Sequence, residues 1–94
     1  MPYTYKPNER ARKRILYARN TAYAAAAKNR PCTDCGGEYP HYVMEFDHCR
    51  GTKSFNISGA ATRSLAVLEA EIAKCDVICA NCHCKRTYKR RSEQ

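Results

Sequence analysis

The chain has 94 residues, seven cysteines and a formal net charge of +8, with 17 Lys and Arg against nine Asp and Glu. A chain of this length forms one small domain with a thin apolar core, and such domains commonly need disulfides or a metal to stay folded. The odd cysteine count argues against a complete disulfide framework, and no signal peptide or membrane-spanning run is evident. We therefore expect a cytoplasmic protein whose paired cysteines hold a metal.

The charge is distributed unevenly along the chain. Residues 1–30 hold eight Lys and Arg against one acid, residues 84–94 hold five against one, and residues 31–83 hold four against seven. Two basic wings around an acidic centre favour a polyanionic partner, because phosphate contacts supply most of the non-specific affinity for nucleic acid. The alternative is that the basic runs are solvated helix faces or a disordered tail.

The first 30 residues are predicted to form a basic arm and a helix. Two prolines favour an extended arm over residues 1–7, and Asn8 is a suitable N-cap for a helix that runs to about Lys28. Pro31 ends that helix. Its apolar stripe is shallow and is formed by Ala11, Ile15, Ala18 and Ala22.

Residues 31–94 are predicted to form a single zinc-braced domain of mixed strands and helices. A strand is expected to end on Asp47 and His48, because apolar residues alternate before this pair. The expected elements, in chain order, are a strand over 42–46, a turn at 50–51, a loop or irregular strand over 53–59, a helix over 64–74, a strand over 76–79 and a helix from 83 onward.

Two Cys-x-x-Cys pairs predict a structural zinc site. Cys32 with Cys35, and Cys79 with Cys82, each supply two ligands from one tight turn, and four ligands complete the tetrahedron that zinc prefers. The alternatives are a redox pair, or a site in which His83 replaces Cys82. No metal is assigned to the remaining cysteines, which are Cys49, Cys75 and Cys84.

Asp47, His48 and His83 are candidates for a reactive centre. Hydrolysis of a phosphodiester needs an activated water and stabilised charge on the phosphoryl oxygens, and a base and a divalent ion serve these needs. Successive side chains of a strand point to opposite sides, so Asp47 and His48 should differ in role, one towards a metal and one towards water. Each residue alone more often caps a turn, lies on the surface or binds structural zinc; their combination favours catalysis.

The order of these motifs resembles the HNH endonucleases of bacteriophages and bacteria. The resemblance covers about residues 30–88 and is carried by Phe46-Asp47-His48, by residues 53–58, by residues 71–83 and by Arg86-Thr87. It implies a ββα-metal core of the His-Me finger type, braced by zinc on the four paired cysteines. It also implies that His48 is the general base and that Asp47 and His83 bind a catalytic divalent ion such as Mg²⁺ or Mn²⁺.

One position departs from the family pattern. The middle asparagine of the HNH motif usually lies nine residues before the last histidine, where this chain has Lys74. In the family that asparagine orients the base through a backbone contact. Here the role is absent, is taken over by a backbone group, or has moved to Asn81, which we include as a candidate catalytic residue.

The function implied by the resemblance is metal-dependent hydrolysis of DNA, by nicking or cleavage and with weak sequence specificity. It would operate in a bacterial cell, encoded by a phage or the host, with packaging or recombination proteins as candidate partners and no membrane. The alternative is a non-catalytic zinc-binding DNA module, such as a phage regulator, whose DNA binding would survive Asp47→Ala. The candidate phosphate contacts are Lys53, Lys85, Arg86, Lys89 and Arg90.

Overall fold

The computed structural model describes residues 7–59 and 62–93. Over these ranges the chain has an α+β fold with three α-helices and one two-stranded antiparallel sheet, in the order α1 (Pro7–Ala27), β1 (Met44–His48), α2 (Leu65–Ile72), β2 (Cys75–Cys79) and α3 (Ala80–Ser92). The α+β class and the basic N-terminal helix are therefore confirmed. None of the described helices is both long and apolar enough to cross a membrane.

The sheet pairs β1 with β2, which lie about 30 residues apart in the sequence. Met44 pairs with Cys79 and His48 pairs with Cys75, so the end of β1 lies beside the start of β2. The helix α2 lies within the connection between the strands, and α3 follows β2 without an intervening loop. The strand end that carries Asp47 and His48 is consequently placed between two helices, α2 and α3.

The core consists of two small apolar clusters that share Phe46. One cluster surrounds the cysteine pairs and includes Met44 and Ile78. The other is formed by Leu68 and Ile72 of α2, against which Tyr23, Ala27 and Phe55 pack. Phe46 is partly buried and contacts both clusters, so the strand that ends on His48 is fixed from two sides.

The helix α1 is attached through its C-terminal half. Asn20 is buried, and its Nδ2 donates to the carbonyl of Arg63 at 2.9 Å, close to the start of α2. Arg19 donates to the same carbonyl at 3.1 Å. Residues 8–15 are exposed, so the basic N-terminal half of α1 faces solvent.

Two boundaries at the N-terminal ends of elements differ from the prediction. The helix α1 begins at Pro7 and not after an Asn8 cap, because proline has no N–H to leave unpaired and its φ suits the first turn. The rest of the predicted arm, residues 1–6, lies outside the described residues. The strand β1 begins at Met44 because Tyr42 belongs to a 3-10 turn, in which the Val43 N–H donates to the Pro40 carbonyl at 2.9 Å.

The helices α2 and α3 each begin at a residue whose side chain caps the first turn. Ser64 is the N-cap of α2, its Oγ accepting from the Val67 N–H at 3.2 Å. Cys79 caps α3 in the same way, with its sulfur accepting from the Cys82 N–H at 3.4 Å. The last helix therefore begins three residues before His83, which lies in its first turn instead of at its start.

Candidate metal centre and active site

Four thiols converge at the junction of β2, α3 and the loop after α1. The Sγ atoms of Cys32, Cys35, Cys79 and Cys82 all lie within 4.8 Å of one another. A zinc ion with bonds of about 2.3 Å to four sulfurs places those sulfurs about 3.8 Å apart, so this cluster has the dimensions for one tetrahedral ion. The prediction that these cysteines form one site that could hold a metal is confirmed, and the ligand set is consistent with zinc.

Backbone N–H groups point at the sulfurs of this cluster. The Cys32 sulfur accepts from the N–H of Cys35 at 3.5 Å and from that of Cys79 at 3.3 Å. Burial opposes ionisation of this thiol, but these N–H groups and that of Asp34 bring the pKa of Cys32 down to about 6. The backbone thus favours the thiolate of Cys32, which is the form that binds a metal, whereas burial raises the pKa of the Cys82 thiol to about 12.

The chain turns at a glycine directly after the first cysteine pair. Gly36 has a φ of +73°, and its N–H donates to the Cys32 carbonyl at 2.8 Å. A positive φ is strained for residues with a Cβ, so the glycine lets the chain turn tightly behind the two ligands.

His83 does not belong to the four-thiol cluster. Its Nδ1 lies 2.5 Å from Oε1 of Glu45, and its Nε2 lies 3.6 Å from Oδ1 of Asp47. A carboxylate only accepts hydrogen bonds, so Nδ1 of His83 donates to Glu45, while Nε2 faces the carboxylate of Asp47. The alternative of a site with three cysteines and His83 is therefore not the arrangement observed.

Asp47 and His83 place a carboxylate oxygen and a ring nitrogen next to each other, with 3.6 Å between Oδ1 and Nε2. Ligands of an octahedral ion with bonds of about 2.1 Å lie about 3.0 Å apart when adjacent and about 4.2 Å apart when opposite. The observed separation matches neither spacing, so the two atoms would have to move closer to bind one ion as adjacent ligands. In the described part of the chain the four cysteines are the only cluster of three or more potential ligands, so an ion here would take its other ligands from water or substrate.

Asp47 is buried and is compensated by two arginines of α3. Arg90 donates to its Oδ1 at 3.0 Å and to its Oδ2 at 2.7 Å, and Arg86 donates to Oδ2 at 2.7 Å. The hydrogen bonds from Arg90 and then from Arg86 outweigh burial and lower the pKa of Asp47 to about 2. Two residues that we predicted as phosphate contacts thus hold a carboxylate in this structure.

Arg86 also joins three segments of the chain. Besides Asp47 of β1, it contacts Asp34 in the first cysteine turn at 2.7 Å and Asp76 of β2 at 3.1 Å. Asp47 and Asp76 face each other across the sheet, and such a like-charge pair is destabilising unless a cation lies between its members.

Replacing Arg86 by methionine is therefore expected to lower the free energy of unfolding by about 1–3 kcal/mol, because the buried Asp47 would keep only Arg90 and the facing Asp47 and Asp76 would lose the cation between them. Urea unfolding of the metal-loaded protein measures this change in the free energy of unfolding. Arg91→Met, at an exposed position of the same helix, is the matched control. Equal midpoints for the two variants would show that the Arg86 network adds no stability.

His48 lies on the other side of β1 and contacts α2. Its Nε2 lies 2.9 Å from Oε2 of Glu71, which is only 2% exposed. Asp47, by contrast, contacts the arginines of α3. The strand geometry thus separates the two neighbours as predicted. Because the carboxylate is an acceptor, the proton of neutral His48 resides on Nε2 and the lone pair on Nδ1.

The two candidates for the middle asparagine occupy different places. Asn81 is exposed in the first turn of α3, and its side chain makes no hydrogen bond within the described part of the chain. Lys74 follows α2 and binds Oε1 of Glu71 at 2.8 Å, so it reaches His48 only through that glutamate. The role of Asn81 stays a prediction.

The two glutamates that bind the histidines, Glu71 and Glu45, were not predicted from the sequence. Glu71 carries one available signal, since it is an acid three residues after Leu68 and next to Ile72 on the apolar face of α2. An acid on a buried face generally has a polar partner. Glu45 carries no such signal, because it is about half exposed and occurs in an alternating strand.

A cleft of about 550 Å³ lies between α1 and β1. Both His48 and His83 line it, which places the two rings at one surface although they arise from different elements. Its wall also includes the polar or basic residues Thr21, Lys28, Lys53 and Asn56, together with apolar residues of α1 and β1. Lys53, Lys85 and Lys89 are exposed, so these predicted phosphate contacts are accessible.

Comparison of the chain with protein-family models, with curated proteins and with solved structures found no significant match.

Proposed function

We propose that this chain is an HNH-type endonuclease that hydrolyses DNA phosphodiester bonds with the help of a divalent ion. The observation that carries the proposal is that His48 and His83 are each held by a glutamate through one ring nitrogen. The other nitrogen of each ring is left for chemistry. An antiparallel strand pair followed directly by a helix supports a ββα-metal core.

In this proposal His48 is the general base. Its Nε2 is bound to Glu71, so its Nδ1 accepts a proton from the attacking water. The side chain is 16% exposed and lines the cleft, so water and a phosphate can reach it. A base that is fixed on a strand and open on one side suits this role.

Asp47 and His83 would hold the divalent ion through Oδ1 and Nε2. When bound, the ion would neutralise charge on the phosphoryl and leaving oxygens. Arg90 donates to the same Oδ1 at 3.0 Å, and its side chain is half exposed. Arg90 can therefore give up this contact and turn to a DNA phosphate, while Arg86 keeps its bond to Oδ2.

DNA would lie along the cleft between α1 and β1. The exposed basic half of α1 is at one end of the chain, and the exposed Lys85 and Lys89 are on α3. Lys28 and Lys53 lie in the cleft wall beside the two histidines. Such contacts go to the sugar-phosphate backbone, and they carry little sequence information.

The second candidate function is a non-catalytic, zinc-binding DNA module. One observation favours it: both carboxylate oxygens of Asp47 already accept from arginines, so the carboxylate has a structural role without any ion. This candidate predicts salt-sensitive DNA binding, one tightly held zinc and no second bound ion. The nuclease predicts an additional, exchangeable ion.

Supercoiled plasmid separates the two functions. We expect zinc-loaded protein to convert it to nicked or linear DNA when Mg²⁺ or Mn²⁺ is added, and to leave it intact when neither is present. His83→Ala should lose this ion-dependent cleavage, because the ion would lose a ligand. Plasmid that is bound by the protein but stays supercoiled with every ion would refute the nuclease and support the binding module.

A further inference from the structure

Glu71 forms a buried link between His48 and Lys74. Its Oε2 accepts from His48 Nε2 at 2.9 Å and from the Ser54 N–H at 3.0 Å. Its Oε1 accepts from the Lys74 ammonium at 2.8 Å. The side chain is only 3% exposed, so these three donors, and not water, are its main partners.

Lys74 is itself held firmly. Besides Glu71, its ammonium donates to the Thr52 carbonyl at 2.7 Å and to the Ser54 hydroxyl at 3.1 Å. An ammonium has three protons, and here each has an acceptor. These bonds join the loop after β1 to the end of α2 around the Glu71 carboxylate. Because both oxygens of this carboxylate accept hydrogen bonds, its orientation is fixed.

We infer that Glu71 is the positioning residue of His48 and that Lys74 positions Glu71. The inference rests on the proposed function for its catalytic meaning, because it concerns how the proposed base is held. Glu71 keeps the Nε2 proton in place and directs the Nδ1 lone pair away from α2. Lys74 does not bind the His48 ring directly; it acts through its hydrogen bond to Glu71.

The geometry explains why a lysine is compatible with the position where an asparagine was expected. A buried carboxylate beside His48 is costly unless a cation compensates it. Lys74 lies three residues after Glu71, a spacing at which helical neighbours meet. A neutral side chain at position 74 would leave the charge of Glu71 without this partner.

The test uses Glu71→Gln, with Glu69→Gln as the matched control because Glu69 is an exposed glutamate of the same helix. Glutamine has the same shape but offers one acceptor oxygen to three donors. We expect kcat for plasmid cleavage to fall on the order of 10²-fold with little change in KM, because a misplaced catalytic group costs about that much. A purely structural role would lower the melting temperature and leave kcat per folded molecule unchanged, and that result would overturn the inference.

Glu71→Asp provides a second variant in case glutamine prevents folding. Aspartate keeps the charge for Lys74 but is one methylene shorter, so it cannot hold the ring at the same distance. We expect the same loss of kcat. A variant that folds and cleaves like wild type would contradict the positioning role.

A readout without DNA separates this inference from the proposed function. In wild type, the Nε2 proton of His48 should exchange slowly with water and give a resolved downfield NMR resonance. Glu71→Gln and Glu71→Asp should lose this resonance, and Glu69→Gln should keep it. If plasmid is never cut but the resonance behaves in this way, the nuclease fails and the positioning of the ring stands; a resonance unchanged in both Glu71 variants overturns the positioning.

Discussion

Removal of the metal from the four-cysteine cluster is expected to unfold residues 31–93. The core is thin, since one cluster is built around the cysteines themselves and the other has, among the described residues, only Leu68 and Ile72 as buried members. Structural zinc contributes about 10–16 kcal/mol of apparent binding free energy in zinc-finger peptides at neutral pH. Small domains have a net stability of only about 5–15 kcal/mol. The metal-free chain should therefore lose its sheet.

Two cysteines of α3 that lie two residues apart allow a matched comparison. Cys82 is buried in the cluster, and Cys84 is exposed outside it. We expect Cys82→Ser to lose bound zinc and the dispersed NMR spectrum of the folded domain, and Cys84→Ser to retain one zinc and the wild-type spectrum. A chelator that strips zinc from wild type should reproduce Cys82→Ser. A metal-free protein with an unchanged spectrum would show that the cluster is not needed for folding.

The parts of the site that depend on local spacing could be predicted from the sequence. Each Cys-x-x-Cys pair places two thiols in one turn, and the assembled cluster confirms this prediction. The period of a strand likewise separates Asp47 from His48, and the structure directs them to α3 and α2 respectively. Neither conclusion requires knowledge of a tertiary contact.

The partners of the reactive side chains could not be predicted in this way. His48 meets Glu71 across 23 residues, and His83 meets Glu45 across 38. Such contacts depend on how α2 and α3 pack on the sheet, and no spacing rule encodes that packing. The same holds for Arg86, a predicted phosphate contact, whose bonds to carboxylates of three separate segments were not predicted.

The two missed boundaries have local causes. The fixed φ of Pro7 suits the first turn of a helix, so the helix begins within the predicted arm. Alternation predicted a strand from Tyr42, but this side chain is 78% exposed and lies in the 3-10 turn over His41–Val43, so it contributes no burial to a strand. These shifts leave the reactive residues in place, because β1 still ends on His48.

Loss of the imidazole of His48 is expected to have the largest effect on activity. A positioned general base typically contributes about 10²- to 10⁴-fold to the rate, so His48→Ala should slow DNA cleavage by that factor. The proposed ion ligands, Asp47 and His83, have other hydrogen-bond partners than His48 and should be unaffected. DNA binding and zinc content should also stay unchanged, because the His48 ring bonds Glu71 of α2 and is not a member of the cysteine cluster.

The most direct measurement of the central claim is the rate of supercoiled plasmid nicking by wild type, His48→Ala and His41→Ala in the same Mn²⁺ concentration. His41 is an exposed histidine of a 3-10 turn that lines the same cleft, so His41→Ala controls for loss of an imidazole that is not held by Glu71. We predict that wild type and His41→Ala nick the plasmid at similar rates and that His48→Ala is slower by about 10²-fold or more. Equal rates for wild type and His48→Ala, or intact plasmid with all three proteins, would contradict the assignment of His48 as the base of a nuclease.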